Sequence, residues 1–145
     1  MPQQFSKNSS IAISNASTIR NGSFTDANVT AIVLDHNDKN AANNYRGELR
    51  MSNRFTPTGT DTGYSSELQW RKTTGKWRPR LAHFYRDKNW NPNDLGRNFQ
   101  TNTQTFAADL SYNQFTPVDI FNRFDVDLRV RHRRQIDPDL HTNTE

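Results

Sequence analysis

The residues with the most obvious capacity for chemistry are three carboxylates, Glu48, Glu67 and Asp109, each set among arginines. Two carboxylates inside a cavity would supply the acid and the base for hydrolysis of a glycosidic bond. Their arginine neighbours favour charge pairing instead, and no spacing in the sequence fixes a reacting distance. We therefore expect no catalytic site, and a glycan hydrolase is the least favoured function.

Two other groups of residues offer ligands or bases. His83 and Asp87 resemble a catalytic base beside the carboxylate that orients it. The pattern, however, puts His83 on the apolar side of a strand, where its imidazole ring would lie at the boundary between apolar surface and water. Residues 35–40 carry oxygen ligands, yet Lys39 occupies a ligand position, and the glycine and distal glutamate of a calcium loop are missing. The chain has no cysteine, so disulfides and thiolate metal sites are excluded. We expect no metal and no cofactor.

Arginines at positions 129, 131, 133 and 134, with an isoelectric point of about 9.7, would suit a nucleic acid. Aspartates interleave with or follow these arginines and lower the positive electrostatic potential around them. The aromatic side chains that would stack on bases fall on the other side of the strand. We expect no nucleic-acid partner. Arginines near a strand end are better suited to lipid headgroups or an anionic solute.

A strand with one apolar face must position these charges. Between residues 121 and 132, Phe124, Val126, Leu128 and Val130 alternate with Arg123, Asp125, Asp127, Arg129 and Arg131. Successive side chains of a strand point to opposite faces. The pattern therefore predicts an apolar side and a side that meets water or a polar lumen.

The same alternation recurs along most of the chain and indicates an all-β protein. Turn residues such as Asn21-Gly22 and Thr74-Gly75 follow most of the apolar runs. We predict an antiparallel up-and-down meander of about seven long strands, part of a transmembrane β-barrel, in which residues 1–145 form one segment and an incomplete one. The predicted strands are 7–17, 25–35, 45–55, 63–71, 76–86, 102–113 and 120–133. We expect a fairly long turn at residues 36–44, a long external loop at 87–101 and a brief turn at 115–118.

Two sets of residues define the predicted barrel wall. The charged residues expected to face the lumen are Arg46, Glu48, Arg50, Glu67, Arg71, Asp109, Arg123, Asp125, Asp127, Arg129 and Arg131. The aromatic residues expected to form membrane girdles are Tyr45, Phe55, Tyr64, Trp70, Trp77, Tyr85, Phe106 and Tyr112. A strand from Tyr45 to Phe55 is about 33 Å long, and a tilt of about 40° projects it to roughly 25 Å, the height of an outer-membrane apolar band.

Composition agrees with a protein whose interior is largely polar. Hydrophobic residues make up 32% of the 145 positions, the net charge is +4 and the mean hydropathy is −1.01. The predicted function is structural, in an outer-membrane barrel with a charged lumen that passes or binds polar solutes. Alternation alone also allows a soluble antiparallel β module, which would bind carbohydrate through exposed Trp70, Trp77 or Trp90.

Two stretches resemble a known family. They are Thr73-Thr74-Gly75-Lys76-Trp77-Arg78 and the segment from Tyr85 to Gly96, which ends in the loop motif Asn91, Pro92, Asn93, Asp94, Leu95 and Gly96. Together they resemble the carboxy-terminal barrel of domain-of-unknown-function family 5916, and the likeness extends over about residues 27–131.

The resemblance implies a location and partners. Members of this family are outer-membrane proteins of Gram-negative bacteria, in which a family-9-type carbohydrate-binding domain typically precedes the barrel. The implied partners are outer-membrane lipid, the remaining strands of the same barrel, and a carbohydrate-binding domain or a polysaccharide. The segment itself is expected to be a fragment, since an odd number of strands does not close a bacterial single-chain barrel.

Overall fold

The computed structural model describes residues 3–6, 8–22, 25–93, 100–117 and 119–145. Within these residues all regular structure longer than a turn is β-strand, in one antiparallel sheet whose spatial order is the chain order. Its strands are β1 (Gln3–Ser6), β2 (Ser9–Thr18), β3 (Asp26–Asn37), β4 (Asn43–Thr56), β5 (Gly59–Lys72), β6 (Trp77–Arg86), β7 (Thr103–Gln114), β8 (Phe124–Gln135) and β9 (Leu140–Thr144). No helix in this part of the chain has the length and hydropathy needed to cross a membrane.

The all-β antiparallel meander predicted from the alternation is confirmed. Each of the seven predicted strands overlaps one of β2 to β8, and most are displaced by only a few residues at either end. The long strands pair in continuous register: β3 and β4 are aligned without a break from Asp26 opposite Phe55 to Asn37 opposite Asn44. Continuous register matters because a slip of one residue would exchange the two faces of a strand.

Two short strands were missed. β1 has four residues, and its register shifts between Gln4 and Ser6. β9 contains a single large apolar residue, Leu140, among polar ones. Neither segment alternates for long enough to give a strand signal. Both lie at the edges of the sheet, where only one neighbour is needed.

The connections differ from the predicted lengths. The turn after β3 is 38–42, shorter than 36–44, because the strands on both sides extend further. The connection after β7 is 115–123, longer than the brief 115–118 expected, since β8 begins only at Phe124. The long connections are therefore not all at one end of the sheet, and the short ones are not all at the other. The long connection after β6 is confirmed.

Asp38 closes the turn after β3. Its carboxylate accepts hydrogen bonds from the backbone N–H of Ala42 at 2.6 Å and from the Asn43 side-chain amide at 2.8 Å. The Asn43 amide is the main cause of a lowered pKa for Asp38. The oxygen atoms that resemble those of a calcium loop are thus used to shape a tight turn.

The first part of the long connection, residues 87–93, folds back onto one face of β4 and β5. We call it the strap. Asp87 pairs with Tyr64 through N–H to O (3.1 Å) and through its carboxylate to the Tyr64 N–H (2.7 Å). The N–H of Asn91 donates to Ser52 Oγ at 3.0 Å, and Trp90 is only 1% exposed. Close approach of the strap is possible because β5 carries a glycine, Gly63, at this point.

Gly63→Ala is predicted to displace the strap. A Cβ at Gly63 would lie 2.3 Å from the carbonyl carbon of Asn89 and from the nitrogen of Trp90, and backbone atoms give way only if the segment moves. We expect a loss of about 1–3 kcal/mol in stability or a strap that detaches, seen as greater quenching of Trp90 fluorescence by acrylamide.

The matched control is Gly47→Ala, in the neighbouring strand. There a Cβ would meet only Leu68 Cδ2, at an ordinary 3.6 Å. Equal stability and equal acrylamide quenching of the two variants would mean that the strap does not pack closely against Gly63.

Candidate functional site

One face of the sheet carries a band of apolar side chains that runs from β2 to β8. The register places Ile32 opposite Leu49 and Leu110 opposite Leu128, while Gly47 stands between Leu34 and Leu68. Side chains in directly opposed positions share a face. The alternation seen in single strands therefore adds up to one continuous surface, which we call the apolar face.

No layer of protein covers the apolar face within the described residues. Leu49, Leu68 and Val126 are 59%, 54% and 58% exposed, and other large apolar side chains on this face are similarly open. A soluble monomer rarely exposes so large a contiguous apolar surface. The buried alanines Ala27, Ala31, Ala82 and Ala107 belong to the opposite face, under longer polar neighbours.

All eight aromatic residues predicted as girdle members lie on the apolar face. The pairs that the register opposes directly are Tyr45 with Trp70 and Trp77 with Tyr112. The rings of Trp77 and Tyr112 are 4.6 Å apart, and Tyr112 also contacts Phe124 of β8, with ring centroids 5.8 Å apart. These five residues form one margin of the apolar face.

This aromatic margin runs obliquely to the strands. The row of opposed residues that begins with Tyr45 and Trp70 continues through Leu81 and Ala108 to Val130. The aromatic residue of β8, Phe124, lies six residues before Val130. Six residues correspond to about 20 Å along a strand. The four strand-to-strand steps from β4 to β8 correspond to about 19 Å across the sheet. The margin is therefore inclined at about 45° to the line perpendicular to the strands.

Histidines on the apolar face were largely overlooked by sequence reasoning. His83 lies on this face as predicted, with its ring centroid 4.7 Å from that of Phe106. His36 stacks on Tyr45 at 6.0 Å and bonds Ser9 Oγ through Nδ1 at 2.6 Å. His132 occupies the same row as Phe106. Between them the face is hollowed into a groove of about 780 Å³, whose walls include Tyr45, Trp70 and Val130.

The opposite face, the polar face, carries the predicted charged residues with one exception. The register groups ten of the eleven on this face. The exception is Arg123, which precedes β8 and lies outside the sheet, near Asp125 at 3.7 Å and over the ring of Phe115 at 5.5 Å. Its prediction as part of a strand was wrong because the alternation continues beyond the residue at which pairing starts.

An ion ladder crosses four strands on the polar face. Arg80 Nε donates to Gln69 Oε1 at 2.8 Å, and its NH1 lies 3.0 Å from Asp109 Oδ2. The other oxygen of Asp109 accepts from Arg129 Nε at 2.8 Å. Both oxygens of Asp109 are thus held by guanidinium groups, an arrangement suited to cross-strand pairing. Arg80 was not predicted, because Phe84 interrupts the alternation in its strand.

Glu48 and Glu67 face each other across β4 and β5. Opposed like charges destabilise a strand pair, and arginines offset the repulsion here. Arg50 Nε donates to Glu48 at 2.7 Å, and Arg46 NH2 lies 3.9 Å from the same carboxylate. The Glu67 carboxylate interacts electrostatically with the guanidinium of Arg86. The carboxylates are thus tied into a charge network.

The first part of the long connection lies against the sheet, which overturns the expected exposure of Trp90. Trp90, a suggested carbohydrate platform, belongs to the strap and is buried against the sheet, and Pro92 is also buried. This correction has a long-range cause, the room left by Gly63 and the bond to Ser52. Asn91 begins a turn in which its Oδ1 accepts from the N–H of Asn93 at 3.1 Å. Asp94, Leu95 and Gly96 of the predicted motif lie outside the described residues.

A single antiparallel meander with one apolar and one charged face defines the structural class of this protein. The chain belongs to the family described as Domain of unknown function (DUF5916), whose model matches residues 1–145. Membership of this family, inferred from the Gly75 and Asn91 segments, is thereby confirmed. No curated protein and no solved structure matches the chain.

Asp109→Asn is predicted to weaken the ion ladder. The substitution leaves the Arg80 and Arg129 guanidinium groups without the carboxylate they share. The Asp109 side chain is 14% exposed, but Arg129 is 63% exposed, so solvent screens part of the effect. We expect a loss of about 1 kcal/mol in the free energy of unfolding.

The control for the ladder is Asp125→Asn, which removes the long, exposed contact with Arg123. It should leave the unfolding midpoint unchanged. If Asp109→Asn changes the midpoint no more than Asp125→Asn does, the ladder contributes nothing to stability.

Lys88 and Asp137 join the start of the strap to the turn after β8, at an N–O distance of 2.8 Å. Hydrogen bonding to the Lys88 ammonium holds the pKa of Asp137 below its ordinary value and raises that of Lys88. The contribution of this pair is therefore lost as the pH falls through the lowered pKa of Asp137, and again as it rises through the raised pKa of Lys88.

Lys88→Gln should return the pKa of Asp137 upward towards the ordinary 3.8, measured by a carboxyl carbon NMR titration. Lys39→Gln, in the turn after β3, is the matched control and should leave Asp137 unaffected. An unchanged Asp137 titration in Lys88→Gln would show that the ion pair does not form in solution.

Proposed function

We propose that this sheet is part of the wall of a transmembrane β-barrel in the outer membrane of a Gram-negative bacterium. The apolar face contacts lipid, and the polar face lines a water-filled interior that passes or binds polar solutes. The protein has no catalytic role in this proposal. The observation that carries it is the exposure of large apolar side chains across the width of the sheet, from Ile13 to Val130.

The inclined aromatic margin supports the proposal. Strands of outer-membrane barrels are tilted by about 35–45°, and aromatic girdles follow the membrane plane. An aromatic line at about 45° across the sheet is therefore what tilted strands in a flat bilayer require. Tyr45 and Phe124, at the ends of this line, would then lie at the same membrane depth.

The polar face fits the interior of such a barrel. Charges of both signs are paired across strands there, as in the Gln69–Arg80–Asp109–Arg129 ladder, and a wet lumen tolerates them. The strap lies on this same face, with Trp90 packed against β4 and β5. In a closed barrel the strap would narrow the lumen.

Closure requires further strands. β1 and β9 form the two edges of the sheet and make no contact with each other in the described part of the chain. Unpaired backbone groups cannot be left in lipid. We propose that strands elsewhere in the same barrel pair with these edges, and that a carbohydrate-binding domain or a polysaccharide is an additional partner.

Leu110→Arg tests whether the apolar face contacts lipid or water. Leu110 lies on that face of β7, between Phe106 and Tyr112. An arginine facing lipid near the bilayer midplane costs about 2–4 kcal/mol. We therefore expect that much loss of stability when the natural protein folds into phosphatidylcholine vesicles, measured by urea titration.

Ser111→Arg is the matched control, because it adds the same charge to the next residue, on the polar face opposite Asp127. It should cost little, since the new guanidinium can pair with the Asp127 carboxylate. Equal costs for the two variants, or a folded monodisperse protein in buffer without lipid or detergent, would rule out the barrel wall.

A soluble β module that binds carbohydrate is a second candidate, favoured by the groove on the apolar face. The groove exposes aromatic rings of Tyr45 and Phe106 and includes Trp70, which suit a sugar ring. Trp77 remains exposed on this face, whereas Trp90 is no longer available. Solubility without detergent, together with saturable binding of an oligosaccharide that is lost in Trp70→Ala, would select this candidate.

A further inference from the structure

A second cavity lies on the polar face, away from the apolar groove. It is a cleft of about 430 Å³ between the end of the long connection and strands β7, β8 and β9. Arg133 and Gln135 of β8 and Thr103 of β7 share the polar face, as the register shows, and Gln100 and Asn143 complete opposite walls. This volume lies within the range of small-molecule sites.

The lining of the cleft is uniform in its chemistry. It consists of threonine hydroxyls, side-chain amides and one guanidinium, that of Arg133. Hydroxyls and amides each donate and accept hydrogen bonds, which matches a ligand rich in hydroxyl groups. Among the described residues that line it there is no aromatic ring and no carboxylate. Recognition here must therefore depend on hydrogen bonds and on the charge of Arg133.

No carboxylate of the described residues lies within salt-bridge distance of Arg133. Arg80 and Arg129 are paired with Asp109, whereas Arg133 NH1 donates only to Gln100 Oε1, at a long 3.4 Å. Among the carboxylates near the lining, Asp137 is paired with Lys88 at 2.8 Å, Asp87 accepts from the Tyr64 N–H at 2.7 Å, and Glu145 accepts from the Asn143 amide at 2.6 Å. Arg133 therefore has no carboxylate partner among the described residues, and its guanidinium can pair with an anionic ligand.

The walls of the cleft are held in place before any ligand binds. Asn102, at their junction, accepts from the Asp137 N–H through Oδ1 at 3.0 Å and from the Ile136 N–H through its carbonyl at 3.2 Å. Gln135 Nε2 donates to the Asp137 carbonyl at 3.1 Å. The long connection and the turn after β8 are thus fixed to each other. A preformed site loses less ordering entropy on binding.

We propose that this cleft binds a polyhydroxylated anion of monosaccharide size, with the anionic group on Arg133 and the hydroxyls on Gln100, Thr101 and Thr103. The guanidinium matches carboxylate and phosphate oxygens alike. The two sources of the anionic group are a sugar acid and a sugar phosphate. Binding by this cleft does not depend on the sheet lying in a membrane.

The test is isothermal titration calorimetry on the natural protein in detergent with glucuronate, glucose 6-phosphate and glucose. We expect at least one of the two anionic sugars to bind at least about tenfold more tightly than glucose, because a charge-assisted hydrogen bond is roughly twice as strong as a neutral one. Glucuronate alone would identify a sugar acid, and glucose 6-phosphate alone a sugar phosphate.

Three variants separate the cleft from nonspecific charge. Arg133→Gln should weaken anion binding at least about tenfold. Gln100→Glu, which is isosteric and exposed, should weaken it similarly by placing a competing carboxylate beside Arg133. Arg134→Gln removes the same charge from the opposite face of β8, where Arg134 donates to Gln104, and should bind as the parent does.

The proposal is overturned if glucose binds as tightly as both anions, if neither anion binds, or if Arg134→Gln weakens binding as much as Arg133→Gln. Gln100→Glu keeps the test decisive should Arg133→Gln fail to fold, since it leaves every charge of the parent in place and adds one.

Discussion

Continuous antiparallel register, from β2 through β8, is the constraint on which the rest of this structure depends. Because each strand alternates apolar and polar residues, unbroken register collects most of the large apolar side chains on one face and the ion pairs of Glu48 and Asp109 on the other. Leu49 and Val126 on the apolar face are more than half exposed. Lipid or another protein layer must therefore shield this face from water. The nature of that covering decides the function of the protein.

The two faces are consistent with a single arrangement. The polar face is held by cross-strand ion pairs and by the strap, in which Trp90 is buried. The apolar face has an aromatic margin inclined to the strands and no protein layer in the described residues. The proposed barrel wall, with lipid on one side and water on the other, would account for both. A second protein layer would explain the exposure but does not require the inclined aromatic margin.

The sequence predicted the strands and their faces because alternation is a local property. It missed β1 and β9, whose short segments have no period, and Arg80, because Phe84 disrupts the pattern. It was wrong about Trp90, whose burial depends on Gly63 and Ser52, both of which are distant from it in the chain. The cleft around Arg133 combines three strands and a loop, and the lack of a carboxylate partner for Arg133 among the described residues can be recognised only when register and loop path are known.

The most direct measurement uses the absence of cysteine in the chain. Single cysteines placed in turn from Phe124 to Arg131, each labelled with an environment-sensitive fluorophore, report contact with lipid or water in the reconstituted natural protein. The account predicts a period of two: labels at 124, 126, 128 and 130 are quenched by a lipid-soluble quencher, and those between them by iodide. Lack of alternation, or apolar-face labels shielded from both quenchers, would show that protein covers this face.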